Sequence, residues 1–406
     1  MSSTKYEVIN LGTYNHPQNI NLGKCCTPSE RAAYIKLFQE FKDVFAWTYS
    51  DLKTFDTRIM QHSIPLKAEV KPYQQKLRKF HPDLEPQMKQ ELKNLLDAKI
   101  IFLVRHTEWV AKLAPVRKKN GDIRLCVNFR NLNRASKKDN YLVSPMEQIL
   151  QRVAGSEMFS LLDGFLGYNQ VLVSHTDQLL TTFRTKWGTF CFRKMSFGLI
   201  NAGATFHRAM DIAFRGLINE SFVVYLDDVT IYSKKRSDHI HHLRQVLQRC
   251  RKYGISLNSK KSIFAVIEGN LLGYLMSSSG MTIELERIQA IKKIQMSSNK
   301  KGMQSLLGKI NFVKRIIPAF SEVVRPMQNM IKKVVDFKWN ELEKEAFARI
   351  KRLIAESPAL LSTNFSKYFY LYTFASDLSY AGVLKQKNNQ GDEISFLFTS
   401  SAFTGA

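Results

Sequence analysis

The sequence predicts a protein that mixes helices and strands, of the α+β or α/β class, and three observations support this. Hydrophobic residues make up 44% and charged residues 23% of the 406 positions, as in ordinary globular domains. At roughly 150 residues per domain, this length indicates two to three folded units. Short β-like runs at residues 158–162, 170–173, 221–226 and 229–232 alternate with helical runs at residues 146–153, 202–217 and 238–253.

The N-terminal part predicts a lead-in segment followed by a helix. Residues 1–60 contain one helix-like stretch, residues 29–44, in which Tyr34, Leu37 and Phe41 share a face. Prolines punctuate the residues that follow, and apolar side chains then recur at helical spacing over residues 85–99. We therefore expect a second helix there.

A basic β-hairpin is predicted next. Its strands are residues 110–116 and 123–129, and the turn between them contains Asn120-Gly121, a strong hairpin signal. Residues 111–140 carry nine Lys or Arg and two acidic residues. This charge suits contact with a polyanion, but a solvated charged face explains it equally well.

The last third of the chain predicts basic helices and then a further mixed domain. Residues 286–333 carry eleven Lys or Arg against two acidic residues, and their pattern is helical. A helix over residues 342–355 precedes β-like runs at residues 369–373 and 394–398. The chain then stops without a closing strand, which favours a truncated final domain.

The net charge and the cysteine content indicate which kind of partner the protein binds and in which cell compartment it occurs. Sixty Lys and Arg against thirty-five Asp and Glu leave a net charge of +25, which favours nucleic acid or an acidic membrane surface, and nucleic acid is the first hypothesis. No apolar run could span a bilayer and no signal peptide is recognisable, so we expect an intracellular protein, cytoplasmic or nuclear, without a membrane partner. Five cysteines without zinc-site spacing indicate reduced thiols, with neither disulfides nor zinc.

The sharpest local feature is a pair of adjacent aspartates between two apolar β-like runs. Asp227 and Asp228 separate residues 222–226 from residues 229–232, which predicts a hairpin tipped with carboxylates. Adjacent like charges repel, and a bound divalent cation such as Mg²⁺ would remove that cost. An ordinary surface turn is the alternative, and for this motif alone it is favoured.

A third carboxylate shifts the balance towards a metal site. Asp163 ends the β-like run 158–162, so the three aspartates can converge if the two strands are neighbours in one sheet. Three carboxylates could hold two metal ions about 3.5–4 Å apart, an arrangement that supports nucleotidyl transfer. Tyr168 lies within reach of the same site, although an aromatic residue near a strand is more often part of the core.

These residues occur in the order and approximate spacing of a reverse transcriptase. The motifs are Asp163 with Tyr168, residues 197–202, Tyr225-Leu226-Asp227-Asp228 and Leu272-Gly273. Together with residues 124–133, they resemble the Pol polyprotein of gypsy-type LTR retrotransposons over residues 62–386. The resemblance implies an α+β right-hand polymerase, followed by a truncated RNase H-like α/β domain. The implied domains are a lead-in segment (1–60), fingers and palm (61–280), a thumb (281–335), and a connection with the truncated RNase H-like domain (336–406).

The resemblance also implies a role for each matching residue. Asp163, Asp227 and Asp228 match the catalytic triad of the palm, which would bind two Mg²⁺ ions. Tyr168 matches the steric gate that favours dNTP over rNTP. The remaining matches are Lys118 and Arg124 as fingers residues that grip the triphosphate, Phe197 and Gly198 beneath the incoming base and template, Lys261 as the palm lysine near the leaving pyrophosphate, and Leu272 and Gly273 as the primer grip.

Several positions depart from the family pattern. Asn128 stands where the wider family usually has Asp, and Lys186 and Ser196 stand where related sequences often have Pro. Phe374 occupies the position of the first RNase H carboxylate and cannot bind a metal, so we predict that RNase H activity is absent. Protease, zinc-knuckle and integrase motifs are missing from the sequence, which predicts a fragment of a longer Pol.

The resulting hypothesis is an RNA-directed DNA polymerase that extends a primer on an RNA or DNA template with dNTPs and two Mg²⁺ ions. One alternative is a decayed retroelement copy that binds nucleic acid without catalysis. Another is a nucleic-acid-binding module without a metal site, in which Asp163 and Asp227 would lie far apart. The histidines at 239, 241 and 242 are expected to be a solvated surface cluster.

Overall fold

The computed structural model describes residues 5–117, 121–142, 144–225, 228–332, 336–357, 360, 366–377, 379–388 and 390–403. Its strands are β1 (Tyr6–Asn10), β2 (Asn19–Gly23), β3 (Phe45–Ala46), β4 (Ile101–Leu103), β5 (Ala111–Arg117), β6 (Ile123–Val127), β7 (Met158–Asp163), β8 (Phe183–Thr185), β9 (Gly188–Phe192), β10 (Phe222–Tyr225), β11 (Asp228–Ser233), β12 (Leu257–Asn258), β13 (Ile263–Val266), β14 (Gly269–Leu271), β15 (Tyr274–Ser277), β16 (Gly280–Ile283), β17 (Tyr370–Ala375), β18 (Ser379–Lys387) and β19 (Glu393–Ala402). Its α-helices are α1 (Pro28–Glu40), α2 (Glu85–Asp97), α3 (Arg130–Ala135), α4 (Met146–Val153), α5 (Ala202–Ala213), α6 (His239–Tyr253), α7 (Leu285–Lys292), α8 (Lys300–Asn311), α9 (Phe320–Asn329) and α10 (Glu341–Ala355).

The chain divides into two units. The first unit comprises Met1–Pro145 and Phe159–Val266, and the second comprises Met146–Met158 and Ile267–Ala406. Each unit mixes helices and strands, as the alternating sequence pattern predicts. In the residues that the structure describes, no helix is both long enough and apolar enough to cross a membrane.

A six-stranded sheet forms the centre of the first unit. Its strand order is β1-β2-β13-β7-β11-β10, so β7 and β11 are hydrogen-bonded neighbours. The apolar residues of β7, β10 and β11 supply much of the core, and Phe159, Phe222 and Ile231 are almost fully buried. Strands β10 and β11 form the predicted antiparallel hairpin, with Tyr225 paired to Asp228 at its closed end.

The N-terminal residues contribute two strands to this sheet. Strand β2 pairs in parallel with β13 and antiparallel with β1, so these two strands of the predicted lead-in segment extend the sheet. Helix α1 places Phe38 4.8 Å, centroid to centroid, from Phe264 of β13. The sequence analysis did not predict either strand, because β1 and β2 are short and polar residues interrupt them.

The basic hairpin predicted from Asn120-Gly121 is also present. Strands β5 and β6 pair antiparallel, with Leu113 opposite Val127, and belong to a five-stranded sheet of order β4-β9-β8-β5-β6. Strands β4, β8 and β9 were not predicted. Conversely, the predicted strand 170–173 is only partly present: Leu172 and Val173 form isolated β-bridges, whereas residues 167–170 form a 3₁₀ turn. Gln170 is buried, and its side-chain amide is bonded to the carbonyl oxygens of Phe165 and Ser256.

The second unit contains two antiparallel sheets and the basic helices. Strands β14, β15 and β16 form one sheet, and β17, β18 and β19 form the other. Helices α7, α8 and α9 occupy the basic region that the sequence predicts to be helical. Helix α10 begins at a capping box made by Asn340 and Glu343, which satisfies backbone N–H groups of its first turn.

The predicted surface histidine cluster is wrong for His239, which is fully buried. Its Nε2 atom lies 2.8 Å from Ser160 Oγ of β7, and its Nδ1 atom lies 2.8 Å from Ser233 Oγ of β11. Ser233 Oγ also lies 2.8 Å from His242 Nδ1. Burial, assisted by the neighbouring His242, lowers the pKa of His239 to about 3. The imidazole is therefore a neutral hydrogen-bonding link between α6 and the central sheet.

We expect the protein to lose stability as the pH falls from about 6.5 towards 4. Burial also lowers the pKa of His62 to about 4, so both histidines stay neutral in the folded state but become protonated in the unfolded state. Each should lower the free energy of unfolding by about 2 kcal/mol at about pH 5. Urea unfolding at about pH 7.5 and 5 measures this, and His239→Gln should show a shallower pH dependence. Stability that is unchanged or higher at the acidic pH would contradict the neutral burial of these rings.

Candidate active site

Two of the three predicted catalytic carboxylates lie on neighbouring strands of the central sheet. Asp163 is the last residue of β7, and Asp228 is the first residue of β11. Asp228 is exposed and Asp163 is partly exposed, so both can be reached from solvent. Asp227 lies outside the described residues.

The Asp163 carboxylate is held by the segment between β12 and β13. Lys261 Nζ lies 3.1 Å from Asp163 Oδ2, and Asn258 Nδ2 donates to Asp163 Oδ1 at 3.3 Å. The backbone N–H of Asp163 donates to Ser262 Oγ at 3.2 Å. Lys261, predicted to lie near the leaving pyrophosphate, therefore contacts a predicted metal ligand directly.

The donor chemistry of this site suits a hard divalent cation. Mg²⁺ is commonly held by one or two carboxylates together with substrate phosphates, and Asp163 and Asp228 can supply such oxygens. Within the described part of the chain, no three His, Cys, Asp or Glu side chains form a metal-binding group. Because Asp227 is not among those residues, the three-carboxylate arrangement stays a prediction.

A cavity of about 270 Å³ opens beside Asp163. Predicted site residues from three separate parts of the first unit line it, namely Arg124 of β6, Phe197 and Lys261. Arg124 is exposed, and its guanidinium lies 5.7 Å from the centroid of the Phe197 ring. The cavity thus combines a carboxylate, two cationic side chains and an aromatic face, a set that suits a nucleoside triphosphate. Lys118, the other predicted triphosphate-binding residue, lies outside the described residues.

Residues that sequence reasoning missed also line this cavity. Tyr49 donates a hydrogen bond to Glu91 Oε1 at 3.0 Å, and burial together with that carboxylate raises the pKa of Tyr49 above its usual range. Asn258, the last residue of β12, also lines the cavity. Its local sequence carries no signal by itself, because its partner Asp163 is almost a hundred residues away.

Tyr168, the predicted steric gate, lies behind Phe197. The Tyr168 ring is 4.6 Å from Phe197 and 5.3 Å from Phe206, centroid to centroid, and only 8% of Tyr168 is exposed, compared with 36% of Phe197. Among the described residues, the cavity lining includes Phe197 but not Tyr168. The structure therefore brings the two predicted residues together as a stack, with Phe197 as its exposed face.

Gly198 follows Phe197 with a φ of +91°, a conformation that favours glycine. Its carbonyl oxygen accepts a hydrogen bond from Asn133 Nδ2 at 2.8 Å, and Asn133 Oδ1 accepts one from the backbone N–H of Ile200 at 2.9 Å. Asn133 thus fixes the loop that carries Phe197 and Gly198 against α3.

The predicted primer grip lies in the second unit. Leu272 and Gly273 join β14 to β15 and both have positive φ values, 53° and 84°, as a two-residue type I′ turn requires. A Cβ atom at Gly273 would lie 2.0 Å from Nη1 of Arg287. The Arg287 guanidinium is 3.9 Å from the centroid of the Phe312 ring. The turn therefore has no room for a side chain at Gly273 unless Arg287 moves.

Two family models match the chain. The model described as reverse transcriptase (RNA-dependent DNA polymerase) matches residues 116–276, and the model described as the RNase H-like domain found in reverse transcriptase matches residues 339–406. The chain therefore carries a reverse transcriptase region, residues 116–276. The reverse transcriptase match spans β7, β10 and β11, and thus Asp163 and Asp228.

Curated relatives of this chain include polyproteins of transposons. The Transposon Tf2-3 and Tf2-4 polyproteins of Schizosaccharomyces pombe are each 30% identical to it over 357 residues, or 87% of the chain. The chain spans about a quarter of their length, 26%. These matches confirm the predicted resemblance to the Pol polyprotein of LTR retrotransposons.

Solved structures confirm the predicted fold class of this chain. A foamy viral protease-reverse transcriptase in complex with double-stranded DNA aligns with a TM-score of 0.84 and 20% identity, covering 94% of this chain and 66% of that one. The same type of protein in complex with an RNA/DNA hybrid aligns with a TM-score of 0.81 and 20% identity, covering 94% of this chain and 51% of that one. The RNase H-like match confirms the kind of domain predicted after the polymerase. The predicted boundaries at residues 60, 280 and 335 stay predictions.

Proposed function

We propose that this chain is an RNA-directed DNA polymerase that extends a primer 3′-hydroxyl with dNTPs. The observation that carries the proposal is the pair of carboxylates, Asp163 and Asp228, on adjacent strands within the matched reverse transcriptase region. The cavity beside Asp163 adds cationic side chains suited to a triphosphate.

In this proposal each part of the cavity has one task. Asp163, Asp227 and Asp228 would hold two Mg²⁺ ions, which when bound lower the pKa of an attacking hydroxyl and stabilise the leaving oxygen. Arg124 and Lys118 bind the triphosphate, and Lys261 neutralises charge on the departing pyrophosphate. Phe197 and Gly198 support the incoming base. The primer 3′-oxygen bonds to the α-phosphorus while the bond to the bridging oxygen breaks.

We further propose that the nucleic-acid partner is a template annealed to a primer. The net charge of +25 and the basic region 286–333, which contains α7 to α9, favour backbone contacts that do not depend on base sequence. Two structural neighbours are described in complex with double-stranded DNA and with an RNA/DNA hybrid, which supports a duplex as the ligand. Leu272 and Gly273, the predicted primer grip, would contact the primer strand.

Primer extension on poly(rA)/oligo(dT) with dTTP and Mg²⁺ tests the proposed activity. The wild-type protein should incorporate dTTP, and Asp228→Asn, which removes one carboxylate charge at the start of β11, should not. Incorporation by the wild type no higher than by the variant would instead favour a decayed copy that binds nucleic acid without catalysis. A filter-binding measurement on the same duplex distinguishes that outcome from a misfolded protein.

We also propose that the RNase H-like region of this chain does not cleave RNA. Phe374 stands in β17 where the family resemblance implies the first carboxylate, and 62% of it is exposed. A phenyl ring offers no oxygen to a metal ion. A labelled RNA/DNA hybrid incubated with the protein and Mg²⁺ or Mn²⁺ should remain intact under conditions in which primers are extended, and cleavage would refute this proposal.

A further inference from the structure

Both oxygens of the Asp163 carboxylate have donors within the protein. Lys261 Nζ lies 3.1 Å from Oδ2, and Asn258 Nδ2 donates to Oδ1 at 3.3 Å. These are the same two oxygens that would coordinate a cation. The lysine also supplies the positive charge that a metal ion would otherwise provide.

Several hydrogen bonds hold the backbone of the segment that carries these donors. Asn258 Oδ1 accepts from the backbone N–H groups of Lys260 and Lys261 at 3.1 and 3.3 Å. Asn21 of β2 donates to the carbonyl oxygens of Lys260 and Ser262 at 3.1 and 3.0 Å. Asn258 is thus fixed by local bonds, whereas the Lys261 side chain is 61% exposed and can swing away from Asp163.

We propose that Lys261 and Asn258 hold Asp163 in the metal-free protein, and that Lys261 competes with a divalent cation for this carboxylate. A cation that binds Asp163 must displace the lysine ammonium, because two positive charges so close together repel. The displaced ammonium is then free to meet the triphosphate. Asn258 carries no charge, so it orients the carboxylate without opposing the cation. This inference rests on the proposed function only in assuming that Asp163 is a metal ligand.

Mn²⁺ binding to the full chain, followed by electron paramagnetic resonance of the free ion, tests the competition without an activity assay. Lys261→Met keeps the length of the side chain but removes its charge, and it should bind Mn²⁺ about two- to fivefold more tightly, as expected from the loss of an exposed ion pair. Lys260→Met is the matched control, because Lys260 is the exposed neighbour whose side chain is not the one that pairs with Asp163. It should bind like the wild type. Asp163→Asn should lose the site.

Three outcomes would overturn the proposal. Equal Mn²⁺ affinity in the wild type and Lys261→Met would show that the lysine does not compete. Equal tightening in Lys260→Met would show a general effect of surface charge. No Mn²⁺ site sensitive to Asp163→Asn would show that Asp163 is not a ligand. A primer-extension assay on the same preparations separates these outcomes from failure of the proposed function, because extension by the wild type would persist in the first two cases. Lys261→Gln provides a second neutral variant if Lys261→Met does not fold.

Discussion

Asp163→Asn should reduce primer extension by about three orders of magnitude while changing template-primer affinity by less than about twofold. The substitution keeps the shape of the side chain but removes a negative charge at the point where β7 ends beside the cavity. Loss of an interaction that stabilises a developing charge costs about 10²–10³ in rate, and loss of a metal ligand adds to this. Duplex affinity depends instead on the many lysines and arginines. Single-turnover extension and equilibrium binding at several salt concentrations measure the two quantities.

Asp97→Asn is a suitable control for this experiment. Asp97 is exposed at the end of α2 in the same unit, so its replacement makes the same chemical change without affecting Asp163. It should extend primers like the wild type. If Asp163→Asn lost extension and binding to the same degree, the carboxylate would serve the fold or the duplex rather than the reaction.

Tyr168→Val should increase the use of rNTPs relative to dNTPs about 10- to 100-fold. One steric contact in a substrate pocket usually contributes a discrimination of this size. Tyr168 supports Phe197 from behind, and their ring centroids are 4.6 Å apart. Replacing the Tyr168 ring with the smaller valine side chain allows Phe197 to move into the volume that the ring occupied. This movement widens the cavity next to the position expected for the sugar. Phe197→Leu should act in the same direction. Steady-state incorporation of dTTP and UTP opposite the same template base measures the preference.

Two controls separate a gating role from simple loss of packing. Tyr168→Phe keeps the ring, so it should preserve the preference for dNTP. Phe206→Leu removes aromatic contact from the other side of Tyr168, in a buried residue of α5. It should lower stability but leave the preference unchanged. A similar relaxation in Phe206→Leu, or none in Tyr168→Val, would contradict the proposed role of this stack.

The central part of the fold could be predicted from the sequence, because it depends on local patterns. Mostly apolar runs produce β7, β10 and β11, and the Asn120-Gly121 signal predicted the pairing of β5 with β6. The same patterns predicted that Asp163 and the start of β11 would meet if their strands were neighbours, and the sheet order makes them neighbours. The strand adjacency that the site requires could therefore be anticipated, and the roles of the residues at these strand ends stay predictions.

Other features depend on contacts between distant parts of the chain, which local patterns do not encode. Strands β1 and β2 are short and partly polar, and they become strands because β13 offers them an edge. Residues 170–173 have the composition of a strand, but the Gln170 side chain bonds to two carbonyl groups and favours a turn. His239 is preceded by Asp238 and followed by other histidines, as in a surface cluster, yet its partners Ser160 and Ser233 lie in the sheet.

The pairing of β2 with β13 has a practical consequence for expression. A protein that starts at residue 61, the predicted beginning of the fingers, would lack β1 and β2 and would leave β13 as an open edge, which invites aggregation. It would also lose Asn21, whose side chain supports the backbone beside Lys261. A recombinant version of this chain should therefore retain the first sixty residues, and a shorter version that is insoluble or inactive would say nothing about the chemistry of Asp163.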